Sequence, residues 1–311
     1  MTQAGIRPSL PSDMIESFAN KGRATGGGRG GNANATVVRR VLQIVSDLSL
    51  ASPDRVKVLD LACGEGVYAL ETALRGHPVH AVDGRTERMQ QGEEFARRLQ
   101  LDHLRFEQQD VRQITAESHG QFDIIYFLGI LYHLDVPDSF QVLENLGRMC
   151  QRFLIIDTHI SLEPNRKVEY KGQIYHGIRE REHEENDPES VRRSRLLMSL
   201  DNPYSFWFSR ECLSRVLLHA GFTSVYECHA PLDHLRRADR VTFVACKGEP
   251  VRLATYPWIN ERTEDEIREF LSAERDALDK EETRNAQSLK QRLRILLNRL
   301  MRPLGYELKR I

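Results

Sequence analysis

A doubly wound α/β domain is the fold class that the sequence predicts, and three observations predict it. From residue 35 onward, short apolar runs of strand length alternate with stretches of helical periodicity. The first run ends in an acid and turns through glycines into a helix at Asp60-Leu-Ala-Cys-Gly-Glu-Gly66, and the second ends in Asp83. The alternation closes on a helix, Ala220-Gly-Phe222, a strand, and then Arg240-Val-Thr-Phe-Val-Ala-Cys246.

The elements follow in order. Residues 35–48 carry Val37, Val38, Val41, Leu42, Ile44, Val45 and Leu48 at helical spacing. Val56–Leu61 is the first strand, and a helix runs from the glycine turn to about Arg75. Pro78–Asp83 is the second strand, and Thr86–Leu99 is a helix with Thr86 as its cap and Glu87 in its first turn. Leu104–Gln108 and Phe122–Leu128 are the third and fourth strands, residues 137–150 a helix opening at Pro137, and Phe153–Asp157 the fifth strand. Helix resumes over Ser209–His219, stops at Gly221, and gives way to strands at Thr223–Cys228 and Arg240–Cys246.

Three segments stand outside this pattern. Residues 1–34 combine a short helix near Asp13–Lys21 with a glycine-rich stretch, Gly22–Asn32, that no strand precedes; it reads as a flexible tether, or else a lid, not a phosphate cradle. Residues 160–205 are polar, bounded by Pro164 and Pro203, and too long for an ordinary connection, so they are expected to be a lid or active-site insertion. Within them Tyr175–His183 invites a metal reading, but its spacing matches no metal motif, and a solvated charged face or substrate contacts are the preferred alternatives. Asn202-Pro-Tyr-Ser-Phe-Trp-Phe208 is either an aromatic wall of an acceptor pocket or the apolar seam that returns the insertion to the core. Residues 249–311 form a helical extension, acidic over Thr263–Lys280 and basic over Arg284–Met301, expected to pack in cis or in a homodimer. The domain proper is thus 35–248.

The totals exclude several function classes. Forty-four Lys+Arg against 45 Asp+Glu leave a net charge of -1, which leaves nucleic acid possible as a partner but not favoured. Five scattered cysteines without a C-x-x-C pair argue against a disulfide framework and a zinc site. No apolar run is long enough to span a bilayer, and the N-terminus lacks a secretory apolar core, so a cytoplasmic location is expected.

The chemistry concentrates at strand ends. Gly64 and Gly66 let the backbone approach a ligand, and Asp83, 17 residues beyond Gly66, is placed to accept ribose hydroxyls. Gly64-Glu-Gly-Val-Tyr-Ala69 also satisfies the dinucleotide pattern, so an NAD-dependent oxidoreductase stays an alternative. Asp60 argues against it, because a carboxylate there suits a cationic amino-acid moiety and repels a pyrophosphate. Gln109-Asp110-Val111 offers a carboxylate and a backbone N–H to an adenine.

With these motifs in order the chain resembles the class I S-adenosylmethionine-dependent methyltransferases over about residues 35–248. The matching stretches are Asp60–Gly66, Val82-Asp83, Gln109–Val111 and Phe122-Asp-Ile-Ile-Tyr-Phe-Leu-Gly-Ile-Leu-Tyr-His133. The resemblance implies a Rossmann-like seven-stranded sheet of order 3-2-1-4-5-7-6 with strand 7 antiparallel, and S-adenosyl-L-methionine as cofactor. It implies a cofactor site of Asp60, Ala62, Gly64, Gly66, Asp83, Asp110, Val111 and Leu128. Ala62 departs from the family's usual glycine, and no loss of binding is expected from it. Tyr132 and His133 follow the fourth strand, where ligands lie in open α/β sheets, and are the candidates to flank the methyl group. His133 is either a general base or a packing and positioning group. The expected reaction is methyl transfer to a hydroxyl of a small-molecule or sugar-containing acceptor. The Leu128–Asp135 stretch also resembles, partially, the enzymes that modify wobble uridine in tRNA, which makes tRNA modification the alternative within the transferases.

Overall fold

A computed structural model of the chain describes residues 10, 40–45, 55–229, 238–249 and 272. The chain divides into two compact units, Met1–Val251 and Arg252–Ile311. All described residues except the helical Ser272 lie in the first. The expected helix near Asp13, the glycine-rich stretch and the expected C-terminal helices lie outside the described residues, Ser272 apart.

The first unit is built on a seven-stranded sheet. Its strands are β1 (Val58–Leu61), β2 (Val79–Asp83), β3 (Leu104–Gln108), β4 (Phe122–Leu128), β5 (Cys150–His159), β9 (Ser224–Glu227) and β10 (Arg240–Cys246). Their order is β3-β2-β1-β4-β5-β10-β9. Strands β1 to β5 are parallel, and β10 runs antiparallel to both β5 and β9. Allowing for three intervening strands, this is the order and the antiparallel last strand that the motifs imply.

The continuous apolar runs have a simple cause. Alternate side chains of a central strand point to opposite faces, and both faces are covered. Leu59, Leu61, Ile125, Phe127, Leu154 and Ile156 enter one buried cluster, while Val58, Ile124, Tyr126, Phe153 and Ile155 enter the other. The covering helices are α1 (residues 40–45), α2 (Val67–Leu74), α3 (Thr86–Arg98), α5 (Asp138–Met149) and α7 (Arg210–His219), with a one-turn α4 at Ala116–His119. Helix α3 packs unusually close to the first loop. A Cβ at Gly92 would stand 2.7 Å from the Glu65 carbonyl oxygen, so only glycine fits there.

Two expectations need correction. Thr86 does not cap α3; it is the first helical residue, and Arg85 stands at the cap position with no side-chain cap bond. The Asp83 carboxylate takes the Arg85 N–H instead, at 2.9 Å, and so sets where the chain turns into the helix. Strand β5 runs on to His159 because β10 pairs with it along its whole upper half, up to His159 opposite Arg240.

The insertion is an antiparallel sheet, β6 (Arg166–Tyr170), β7 (Gln173–Arg181) and β8 (Tyr204–Phe208), with the short helix α6 (Glu189–Ser194) between β7 and β8. The solvated-face reading of Tyr175–His183 holds only for part of the run. Arg179 and Arg181 are exposed, whereas Tyr175, Gly177, Glu182 and His183 are buried. Tyr175, Gly177, Arg179 and Arg181 share one face of β7, so burial changes along the strand, from Tyr175 in the main core to the exposed Arg181. Phe206 and Phe208 of β8 join the main core, and Phe208 meets Phe140 edge to face at 5.1 Å.

Candidate active site

The carboxyl ends of β1 to β4 gather most of the expected site residues. The loop after β1 leaves the sheet through left-handed backbone at Ala62 (φ 57°), Gly64 (φ 55°) and Gly66 (φ 77°). At Gly66 a Cβ would also stand 2.9 Å from the Phe106 ring. Ala62 carries the strain that a glycine would not. Gly66 is the N-cap of α2 and makes no side-chain cap bond, so main-chain N–H groups at this helix start are left for a ligand.

Two carboxylates close this loop. Asp83 is buried, and its oxygens accept the N–H groups of Gly64 and Arg85, each at 2.9 Å. Asp60 is equally buried, but its Oδ2 has no hydrogen-bond partner. Burial, and then the charge of Asp83, push the Asp60 carboxyl up to about 8. A buried acid in this condition is one that an arriving cation stabilises. Neighbouring Cys63 is a buried thiol whose pKa burial raises well above its usual range, so it is unsuited to act as a nucleophile.

The third loop is tied to the second, since Gln109 N–H donates to the Asp83 carbonyl at 3.0 Å. Val111 is buried and begins a 3-10 turn over Val111–Gln113 that the Asp110 side chain caps through Arg112 N–H at 2.9 Å. Asp110 also takes the Arg112 guanidinium on both oxygens. That guanidinium reaches on to Asp138 at 3.3 Å and to Asp201 of the insertion at 2.7 Å. Leu128 is half-buried at the end of β4, and the next N–H, that of Gly129, bonds the Asp157 carbonyl.

The Tyr132-His133 pair lies in a 3-10 turn, Leu131–His133, just past β4. Strand β8 docks on this turn: Trp207 Nε1 donates to the Tyr132 carbonyl at 2.9 Å, and Phe206 N–H to the Leu134 carbonyl. The Asn202–Phe208 stretch therefore serves as the seam that returns the insertion to the core. Phe206 and Phe208 are seam, and Trp207 stacks on His159 and stands edge-on to Tyr132. Arg240, paired with Asp157, stands 5.0 Å over the Tyr132 ring.

His133 has a partner that the sequence did not disclose. Its Nδ1 lies 2.9 Å from both carboxylate oxygens of Glu182, 49 residues away. An Nδ1–H donated to that carboxylate leaves the lone pair on Nε2. Burial opposes ionisation of Glu182, but the His133 hydrogen bond and charge and the Ser199 N–H outweigh it, so its carboxyl lies below the usual range. A base oriented by a carboxylate is the arrangement general-base catalysis uses. Glu182 lies in a charged run that reads, from the sequence alone, as a solvated face or substrate contacts. Among the described residues no group of His, Cys, Asp and Glu could hold a metal ion, and no helix is long and apolar enough to cross a membrane.

The chain has relatives among known proteins. Residues 58–152 match a family described as a methyltransferase domain. A ubiquinone biosynthesis O-methyltransferase of Psychrobacter cryohalolentis is 34% identical over 89 residues, 28% of this chain and 34% of the relative. One of the same name from Acinetobacter baumannii is 29% identical over 83 residues, 27% of this chain and 35% of the relative. The chain thus spans about a third of the length of these curated relatives. The N-terminal domain of EvdMO1, crystallised with SAH bound, shares the fold at 20% identity and a TM-score of 0.53, over 66% of this chain and 80% of that one. In a crystal grown in the presence of SAH and D-fucose the values are 18% and 0.55, over 75% and 97%. Residues 58–152 thus match a methyltransferase-domain family, and the sheet has the fold of a domain crystallised with SAH bound, as the motifs led us to expect.

Proposed function

We propose that this chain is an S-adenosylmethionine-dependent methyltransferase acting on a hydroxyl of a small-molecule or sugar-containing acceptor, with His133 as the base. The observation that carries the reading is the contrast at the ends of β1 and β2. Asp83 is buried and partnered, whereas Asp60 is buried with Oδ2 unpartnered. An ammonium group supplies the positive charge that would stabilise an ionised Asp60, whereas a dinucleotide pyrophosphate would bring only further negative charge. The residues present therefore fit this cofactor. Asp60 would hold the amino group, Gly64 and Gly66 would lie along the methionine part, Asp83 would accept the ribose hydroxyls, and Asp110, Val111 and Leu128 would border the adenine. Ala62 would shape the loop.

When bound, the cofactor supplies a methyl group on a positively charged sulfur, already a good electrophile. The chain's own task is alignment and proton removal. Tyr132 borders the acceptor, and His133 Nε2 takes the hydroxyl proton while Glu182 holds the ring and stabilises the imidazolium. Two likenesses support oxygen as the acceptor atom and a small acceptor: the curated relatives are named O-methyltransferases, and the EvdMO1 domain was crystallised in the presence of D-fucose.

The test is transfer of labelled methyl from S-adenosylmethionine in the presence of a fractionated cell extract. Label in a small metabolite, at an oxygen, is the expected outcome. Label in the tRNA fraction would overturn the acceptor class.

A further inference from the structure

We propose that Arg85 is a positioning residue for His133. It pins the end of the insertion onto the ribose loop and so fixes the carboxylate that orients the base. The inference rests on assigning this crevice to S-adenosylmethionine.

Arg85 lies two residues beyond Asp83 and gives its N–H to Asp83 Oδ1. Its guanidinium turns away from the sheet and donates to four backbone carbonyls of the insertion. Nε reaches Arg193 at 3.2 Å, and Nη2 reaches Arg195 and Met198 at 3.2 Å and Ser199 at 2.9 Å. The carbonyls at the end of α6 have no partner within their own helix, and a planar cation with several fixed donors satisfies them together. The contact is close along its length: a Cβ on Gly84 would stand 3.2 Å from the Leu200 side chain.

Ser199 is the point where this anchor meets the base. It is 2% exposed. Its carbonyl is shared by Arg85 and by His183 Nε2 at 3.0 Å. Its N–H donates to Glu182 Oε2 at 2.8 Å, and Glu182 holds His133 Nδ1. A second thread returns from the same residue: Ser199 Oγ donates to the Asn202 carbonyl, and Asn202 Nδ2 donates to the His133 carbonyl at 2.9 Å. The path Asp83–Arg85–Ser199–Glu182–His133 is thus made of direct hydrogen bonds. Without Arg85 the Ser199 peptide loses its hold on the sheet, and Glu182 loses the donor that fixes one of its oxygens. Contiguity alone does not demonstrate coupling, so the readout must be at His133 itself.

An N–H held between imidazole and carboxylate gives a far-downfield proton resonance. We would record it on the full chain saturated with S-adenosylhomocysteine, assigning it by its loss in His133→Asn. Arg85→Ala and the milder Arg85→Gln should both weaken or broaden it, while affinity for S-adenosylhomocysteine changes by no more than about fivefold, the scale of one hydrogen bond. Arg192→Ala is the control, because Arg192 also bonds insertion carbonyls, those of Asp201 and Glu185, but not that of Ser199. The resonance should survive there. An unchanged resonance in a folded Arg85→Gln protein would overturn the proposal, as would equal loss in Arg192→Ala. Failure of the wild type to bind S-adenosylhomocysteine would instead remove the reading of the crevice itself.

Discussion

Asp60 and Asp83 lie near the ends of adjacent parallel strands and are both buried, yet only Asp83 has both oxygens occupied, by the N–H groups of Gly64 and Arg85. Asp60 keeps a bare Oδ2, and the nearby negative charge of Asp83 adds to the cost of ionising it. This asymmetry has consequences in solution.

The Asp60 carboxyl holds its proton up to about pH 8 in the folded chain, against an ordinary value of 3.8. Between those limits the native state binds one more proton than the unfolded state. Stability of the ligand-free protein therefore falls as pH rises, by at most about 1.4 kcal/mol per unit from this group. Binding of an ammonium drives the proton off. Affinity for S-adenosylhomocysteine should therefore climb with pH, by up to about tenfold per unit, and level off near pH 8. Calorimetry in buffers of different ionisation enthalpy should show a proton released on binding below that pH. Asp60→Asn should bind weakly and without this pH dependence; a wild-type affinity that is flat from pH 6 to 8 would remove Asp60 from the amino-group site.

Ala62 sits at φ 57°, where a side chain costs roughly 1 kcal/mol. Ala62→Gly should raise the unfolding midpoint by a few degrees at most, since the extra chain entropy of glycine offsets part of the gain. Gly66→Ala should do the reverse and more strongly, because its Cβ would also press on Phe106. Thermal unfolding of the two variants checks both signs.

If His133 is the base, His133→Ala should lose about 10²–10⁴-fold in kcat and leave cofactor affinity nearly unchanged. His133→Asn should be nearly as slow. Glu182→Gln should be slow too, because an amide that donates to Nδ1 selects the tautomer with Nε2 protonated. Steady-state kinetics with the true acceptor decides this. Recovery of most of the rate in His133→Asn would make His133 a group that places the acceptor, not its base.

Phe208 belongs to the core as much as to the insertion. It is 2% exposed and packs on Phe140. Phe208→Ala should cost about 3–5 kcal/mol in denaturant unfolding, and deletion of the whole insertion should unfold the domain. A deletion variant that folds and binds S-adenosylhomocysteine would make the segment a detachable lid.

The sheet was legible because its strands announce themselves locally. Val58–Leu61, Leu104–Gln108 and Phe122–Leu128 are short apolar or alternating runs bounded by turns, and the acids at 60 and 83 mark where two of them end. The insertion was not legible in the same way. Its first two strands carry several exposed charged residues, and the partner of the buried Glu182 is a histidine 49 residues away. Asp110 was found as a candidate, but not its engagement with Arg112 and, through it, Asp201, which depends on a loop 89 residues distant. Pattern reveals periodicity; it does not reveal which remote loop completes a site.

Titration calorimetry of the wild type and of Asp83→Ala with S-adenosylhomocysteine and with NAD tests the central claim most directly. The account predicts saturable binding of S-adenosylhomocysteine to the wild type, no heat with NAD, and a loss of roughly 1.5–3 kcal/mol in Asp83→Ala, the range for hydrogen bonds to a charged group. Saturable binding of NAD with none of S-adenosylhomocysteine would contradict it.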